Sequence, residues 1–147
     1  MTRTQPHERF SAQVSLAPGT VSTFAHAVGD TNPVHHDADA AAKSRFGRLI
    51  ASGPQTTAHL LALTASHFCQ RGAMLGLEFC FRFRRPIYAD ETIRLEWLVV
   101  SVKESPRLSG EIIDLRGRIR KENGETAVGA KGRVLVTENL GPAKKGN

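Results

Sequence analysis

Apolar and polar residues alternate over residues 8–16, with Phe10, Ala12, Val14 and Leu16 in one phase, which predicts a short strand ended by Pro18-Gly19. The period then changes. Val21, Phe24, Ala25 and Val28 recur at helical spacing, so a helix is expected over 21–28, with Thr20 as its N-cap and Gly29 as its stop. Asp30-Thr31-Asn32-Pro33 puts three turn formers before a proline, and a residue before proline is pushed out of helical angles. Asp37 is placed to cap a short alanine-rich helix over 38–46, closed by Gly47. Ser52-Gly53-Pro54 opens the longest helix, 54–70, with Thr57, Leu60, Leu61, Thr64 and Phe68 on one face. No Asp, Glu, Lys or Arg falls between Pro54 and Arg71. This helix is therefore expected to be covered by protein over most of its circumference.

Period two takes over after residue 74. Leu75, Leu77, Phe79, Phe81 and Phe83 alternate with Gly76, Glu78, Cys80, Arg82 and Arg84 until Arg85-Pro86 breaks the pattern. Residues 92–103 alternate Ile93, Leu95, Trp97 and Val99, and Leu98, Val100 and Val102 make the second face partly apolar. A turn at Ser105–Gly110 leads to strands at 111–121 and 126–137, joined by Glu122-Asn123-Gly124-Glu125, whose Asn-Gly is a strong hairpin signal. The order is one strand, short helices, a long central helix and four strands in succession. It predicts an α+β domain in which an antiparallel sheet wraps a buried helix. With 147 residues and no internal repeat, 1–147 reads as one domain, and the Gly-, Pro- and Lys-rich stretch 141–147 as a mobile tail.

Charge and cysteines narrow the picture. The longest apolar runs, such as Leu60–Leu63, fall far short of the ~20 residues of a membrane span. Residues 1–9 carry no apolar core of a secretory signal, so a cytoplasmic location is expected. Cys69 and Cys80 sit at positions typical of buried core filler in a reducing compartment, and no CxxC or HxxxH pair points to a metal. The net charge of +6 fits nucleic acid, a membrane surface or a polyanionic small molecule, and charge alone does not choose among them. Arg82, Arg84 and Arg85 form one cluster and Arg116, Arg118, Arg120 and Lys121 another. Most of these read as the solvated face of strands. Phe79, Phe81 and Phe83 alternate with the arginines and should face away from them, which argues against single-stranded nucleic acid.

The densest polar segment is Gly29-Asp30-Thr31-Asn32-Pro33-Val34-His35-His36-Asp37. It sets a carboxylate and an imidazole five residues apart across an Asn-Pro turn, so both can point into one cleft. On spacing alone a plain surface turn explains it as well. His36, beside His35, reads as a surface residue, and His59 and His67 as packed helix histidines.

The run Val28-Gly29-Asp30-Thr31-Asn32-Pro33-Val34-His35, followed by Asp37, Ala40–Ala42, Phe46, Ile50-Ala51 and Gly53, resembles the signature of the MaoC-like dehydratases, which include the (R)-specific enoyl-CoA hydratases. Phe83–Asp90 resembles a second motif of that family, with Ala89 where glycine is common. The resemblance implies a hot-dog fold, the 54–70 helix surrounded by the sheet, working as a homodimer or higher homo-oligomer without a cofactor. It implies syn addition of water to a trans-2-enoyl thioester of coenzyme A or acyl carrier protein, in fatty acid metabolism, with Asp30 and His35 as catalytic pair. The Gly53 amide, ahead of an N–H-less Pro54, is the candidate donor to the thioester oxygen. Asn32 and Ser52 are further candidates for substrate contact. Ser52 stands where the family commonly has histidine, and Ala58 where many members carry a hydroxyl. Arg82, Arg84 and Arg85 are candidates for coenzyme A phosphates. The competing readings are a thioesterase on the same fold and a non-catalytic acyl-binding partner subunit.

Overall fold

The computed structural model describes residues 3–138, 140 and 141; most of the expected mobile tail, 142–147, lies outside the described residues. Strand β1 (Arg9–Ser15) leads through helix α1 (Pro18–Ala27), a 3-10 turn (Pro33–His35) and helix α2 (Ala38–Lys43) to the long helix α3 (Gly53–Phe68). Strands β2 (Ala73–Phe83), β3 (Thr92–Ser105), β4 (Gly110–Arg120) and β5 (Thr126–Thr137) follow. The sheet is antiparallel throughout, in the order β1-β3-β4-β5-β2. Strands adjacent in the chain are not always adjacent in space, because α3 carries β2 to the edge opposite β1.

The period-two pattern sorts side chains between the two faces. One inner row runs Phe10–Trp97–Gly117–Ala130–Phe81 and the next Ala12–Leu95–Ile119–Val128–Phe83. Helix α3 lies against this face. Leu60 and Phe68 are fully buried, and the Trp97 indole N–H donates to the Leu60 carbonyl at 2.9 Å, tying helix to sheet in the core. Gly117 and Gly132 make room for the aromatic rings. A Cβ at Gly117 would collide with Trp97 Cε3 and lie 2.6 Å from Cζ3, and one at Gly132 would lie 2.7 Å from Phe79 Cε1.

Several expectations are corrected. Helix α1 starts at Pro18, behind Ala17 rather than Thr20, since a proline in the first turn loses no helical hydrogen bond. Helix α2 stops at Lys43, where Ser44 turns extended and its hydroxyl takes the Ala41 carbonyl. Helix α3 buries Gln55, Thr56, Leu60, Thr64 and Phe68, while Ala62, Ala65 and Ser66 stay exposed, so it is covered on one side only. Cys69 and Cys80 are both exposed. Phe79 and Phe81 take the inner face of β2 and leave Cys80, one residue out of phase, on the outer face. A bulge between Gly76 and Glu78 breaks the alternation at Leu77, so Leu75 and Leu77 remain exposed. The Asn-Gly turn forms as expected, with Gly124 at φ +85° and the Lys121 amide bonded to Glu125 O. Lys121 leaves the basic cluster assigned to it. It is buried in an ion pair with Glu91 at 2.7 Å and also donates to the Pro86 carbonyl. Among the described residues no helix is long and apolar enough to cross a membrane.

Candidate active site

The site is built on the bend between α1 and α2. Gly29, at φ +77°, ends α1, and the Asp30 amide turns back to the Ala25 carbonyl at 2.8 Å. One oxygen of the Asp30 carboxylate, Oδ1, accepts the Asn32 amide at 2.9 Å. Asn32 in turn caps the 3-10 turn, its Oδ1 accepting from the Val34 amide at 3.5 Å. That turn brings His35 back over the bend and buries it, with only 6% of its surface exposed.

Nδ1 of His35 lies 2.8 Å from the Ile50 carbonyl oxygen. A carbonyl can only accept, so Nδ1 carries the hydrogen and Nε2 is left as the free ring nitrogen. Nε2 faces the other Asp30 oxygen, Oδ2, at 3.5 Å. The pair is therefore held at its outer ends, Oδ1 by Asn32 and Nδ1 by Ile50, with its inner atoms pointing at each other across a gap. That distance is long for a direct bond, and a water seated beside the two atoms can donate to both.

Ile50 is itself fixed. Its amide donates to Val34 O at 3.1 Å, it bridges Tyr88, and the flanking Ala51 amide bonds Ile87 O at 2.8 Å. The segment 86–91 that receives it is braced by the buried Glu91–Lys121 pair. Arg48 lies over the Tyr88 ring at 3.8 Å and Lys121 at 4.5 Å.

Gly53 is the first residue of α3, so its amide has no acceptor within the helix. The Phe83 ring packs on it, 3.0 Å from where a Cβ would stand, and Phe83 itself is 59% exposed. Ser52 is fully buried, and its hydroxyl caps α3 by accepting the Gln55 amide at 3.3 Å. Asn32 is exposed and committed to the bend's backbone. Arg82 and Arg84 lie on the outer face of the sheet, while Arg85 reaches back to the Arg84 carbonyl.

Sequence reasoning missed His36. Its ring is half-buried, with Nε2 2.7 Å from the Asp30 carbonyl and Nδ1 2.8 Å from Ser22 Oγ. By the same logic Nε2 donates to Asp30 and Nδ1 accepts from Ser22, so His36 ties the Asp30 bend to α1. The His26 ring lies against it, tilted by 37° with the centroids 4.0 Å apart. The only local signal was a second histidine on a tight turn, and its partner Ser22 lies fourteen residues upstream.

A five-stranded antiparallel sheet packed on one long helix is the hot-dog fold of the solved structures it resembles. The MaoC like domain model matches residues 2–114. The chain belongs to the MaoC-like dehydratase family. It is 32% identical over 125 residues to a UPF0336 protein of Streptomyces griseus, covering 79% of this chain and 80% of that one. Its fold is that of the unliganded R-hydratase PhaJ1 from Pseudomonas aeruginosa, at a TM-score of 0.80 and 24% identity over 97% of this chain and 94% of that one. It also matches the HadBC (3R-hydroxyacyl-ACP dehydratase) complex from Mycobacterium tuberculosis, at a TM-score of 0.76 and 18% identity over 92% and 99% of the two chains. Both likenesses are to hot-dog folds, and the domain is α+β in that class.

Proposed function

We propose that the protein hydrates trans-2-enoyl thioesters and, in reverse, dehydrates (R)-3-hydroxyacyl thioesters, with Asp30 and His35 holding one water between them. The observation that carries this reading is the 3.5 Å gap between Asp30 Oδ2 and His35 Nε2, in a pair whose other two polar atoms are already bonded. A water seated against both atoms donates one hydrogen bond to each, and these two bonds aim its oxygen. As the oxygen attacks the β-carbon, one proton passes to His35 Nε2, and the carboxylate beside it stabilises the imidazolium. The imidazolium returns that proton to the α-carbon, which balances the addition of H and OH. Both groups arrive from the same side, so the addition is syn. Negative charge accumulates meanwhile on the thioester oxygen, which accepts a hydrogen bond from the Gly53 amide at the positive end of α3. The exposed Phe83 ring beside Gly53 offers an apolar wall for the acyl chain. These are proton transfers and need no cofactor.

The working unit is a homodimer in this proposal. Among the described residues strand β2 pairs only with β5, and its open edge is eleven residues long, without proline, with Leu75, Leu77 and Phe83 exposed along it. Such an edge invites pairing with another chain. The two unpaired cysteines suit the cytoplasm.

Incubation with crotonyl-CoA tests the reading. Loss of enoyl absorbance without release of free thiol is the expected result, abolished in Asp30→Asn and His35→Ala. Free thiol would identify a thioesterase instead, and folded wild type inert toward every enoyl chain length would mark a non-catalytic acyl-binding subunit.

A further inference from the structure

The proposed water site depends on which His35 nitrogen carries the hydrogen, and the Ile50 carbonyl makes that choice. Ile50 belongs to no regular strand or helix. It meets Tyr88 in an isolated bridge, flanked by Ala51 N–H on Ile87 O at 2.8 Å and Ala89 N–H on Leu49 O at 3.0 Å. Segment 86–91 lies between the end of β2 at Phe83 and the start of β3 at Thr92, so no sheet ladder fixes it. Ile87 and Ala89 are buried, but apolar contact has no direction and does not aim a carbonyl. Directional bonds must do that.

Those bonds converge on one ammonium. Lys121 follows the last residue of β4, and the hairpin turn locks its backbone, with its N–H on Glu125 O and its carbonyl accepting the Gly124 N–H, both at 2.9 Å. From there Nζ donates to the Pro86 carbonyl at one end of the segment and, over 2.7 Å, to Glu91 Oε1 at the other. The same Glu91 oxygen accepts the N–H of Tyr88, the residue that bridges Ile50, at 3.1 Å. Neighbouring Glu122 takes the Thr92 N–H at 2.7 Å. Nζ also lies 4.5 Å from the centre of the Tyr88 ring, over which Arg48 stands at 3.8 Å. The Lys121 and Glu91 side chains are 8% and 7% exposed, so salt and solvent screen the pair little.

We propose that Lys121 is a positioning residue for His35: through Glu91, Tyr88 and Ile50 its ammonium holds the ring in the form with hydrogen on Nδ1 and Nε2 bare. Its effect on rate rests on the hydration reading; its effect on the ring does not. A buried ion pair is a weak source of stability, because apolar residues of similar volume often serve a core as well. What the ammonium adds here is bonds of fixed direction to both ends of one segment. Without them the Ile50 carbonyl leaves Nδ1, and the hydrogen passes to Nε2. An Nε2–H facing Asp30 Oδ2 across 3.5 Å then donates straight to the carboxylate. The two atoms that would take the water's hydrogen bonds are joined to each other, and Nε2 has no lone pair left for a proton. Rate follows the fraction of molecules in the Nδ1–H form, so a ring about nine-tenths in the other form loses about tenfold in kcat.

Nitrogen NMR of the imidazole rings reads this directly in the full-length, isotope-labelled protein at about pH 8.5, above the ordinary histidine range. In wild type His35 should carry its hydrogen on Nδ1 and His36, whose Nε2 donates to the Asp30 carbonyl, should show the opposite form. His35→Ala identifies the His35 signals by their loss. Lys121→Met should move His35 toward Nε2–H and leave His36 unchanged, because His36 is tied to α1 and not to segment 86–91. With crotonyl-CoA, kcat should fall about tenfold while KM changes less than about twofold. Lys121→Met strands the Glu91 carboxylate, so Glu91→Gln/Lys121→Met is the second variant: it buries no lone charge, its new amide still accepts the Tyr88 N–H, and it should show the same ring change and kcat loss. A folded variant whose His35 stays in the Nδ1–H form overturns the proposal whatever its rate, since the ion pair would then serve the core alone. So does a changed ring with wild-type kcat. If wild type turns over no enoyl thioester but the ring changes form in the variants, the hydration reading fails and the positioning of His35 stands.

Discussion

Replacing His36 by alanine tests whether the bend that carries the proposed Asp30–His35 pair is held from behind. The substitution deletes two bonds, Nε2–H to Asp30 O at 2.7 Å and Ser22 Oγ–H to Nδ1 at 2.8 Å, and strands a hydroxyl and a carbonyl in a part-buried place. At roughly 0.5–1.5 kcal/mol net per bond, the fold should lose about 1–3 kcal/mol. The bend itself should persist, because the Asp30 amide still bonds Ala25 O and Oδ1 still accepts the Asn32 amide. What is lost is the anchor to α1, so Asp30 Oδ2 should wander from its 3.5 Å station opposite His35. If about 1.4 kcal/mol of that loss falls on the transition state, kcat drops about tenfold. Crotonyl-CoA hydration followed by enoyl absorbance gives kcat and KM separately, and a thermal melt gives the stability loss. His36→Gln, whose amide can still donate to the Asp30 carbonyl, should recover part of kcat. A His36→Ala protein with lowered melting temperature but wild-type kcat would refute the reasoning, since the histidine would then brace only the fold.

Three further outcomes follow from other parts of the molecule. The Arg71 guanidinium, opposed by burial and helped by His67, pulls the Glu8 carboxyl down to about 2 from 4.5. The folded-state value is depressed, so the stabilisation is complete above about pH 5 and vanishes as pH falls through 2, and it amounts to about 3 kcal/mol; wild type and Glu8→Gln should differ by that order in urea melts at pH 7 and converge near pH 2. Gly117→Ala drives a methyl into a Trp97 ring tethered to Leu60 O, so overpacking plus a weakened bond should cost about 2–4 kcal/mol, read from denaturant midpoints, and a wild-type midpoint would contradict the packing described. Leu77→Lys on the open β2 edge should lower the solution mass measured by light scattering to that of one chain, and an unchanged oligomer would place the interface elsewhere.

Local features were legible in the residues alone. The spacing of Asp30 and His35 left a plain surface turn as open as a pairing, but the β4–β5 hairpin follows from Asn123-Gly124 and the entry to α3 from Ser52-Gly53-Pro54. Each is decided within a few bonds of the chain, where turn chemistry and caps act. Period two also told which strand residues share a face, but it failed at Leu77, where a bulge against β5 resets the phase, and at Cys80, whose burial depended on which face Phe79 and Phe81 took. Tertiary structure decided everything joining distant segments. The Ile50 carbonyl sets the His35 tautomer from fifteen residues away, and Ser22 reaches His36 from the preceding helix. The outer face of the sheet gathers Arg9, Arg82, Arg116 and Lys131 from four strands whose order no local pattern encodes. The physical reason is range: propensities and caps are written in neighbouring residues, while a shared carbonyl or a charged face exists only once strand pairing has been settled by burial of the whole core.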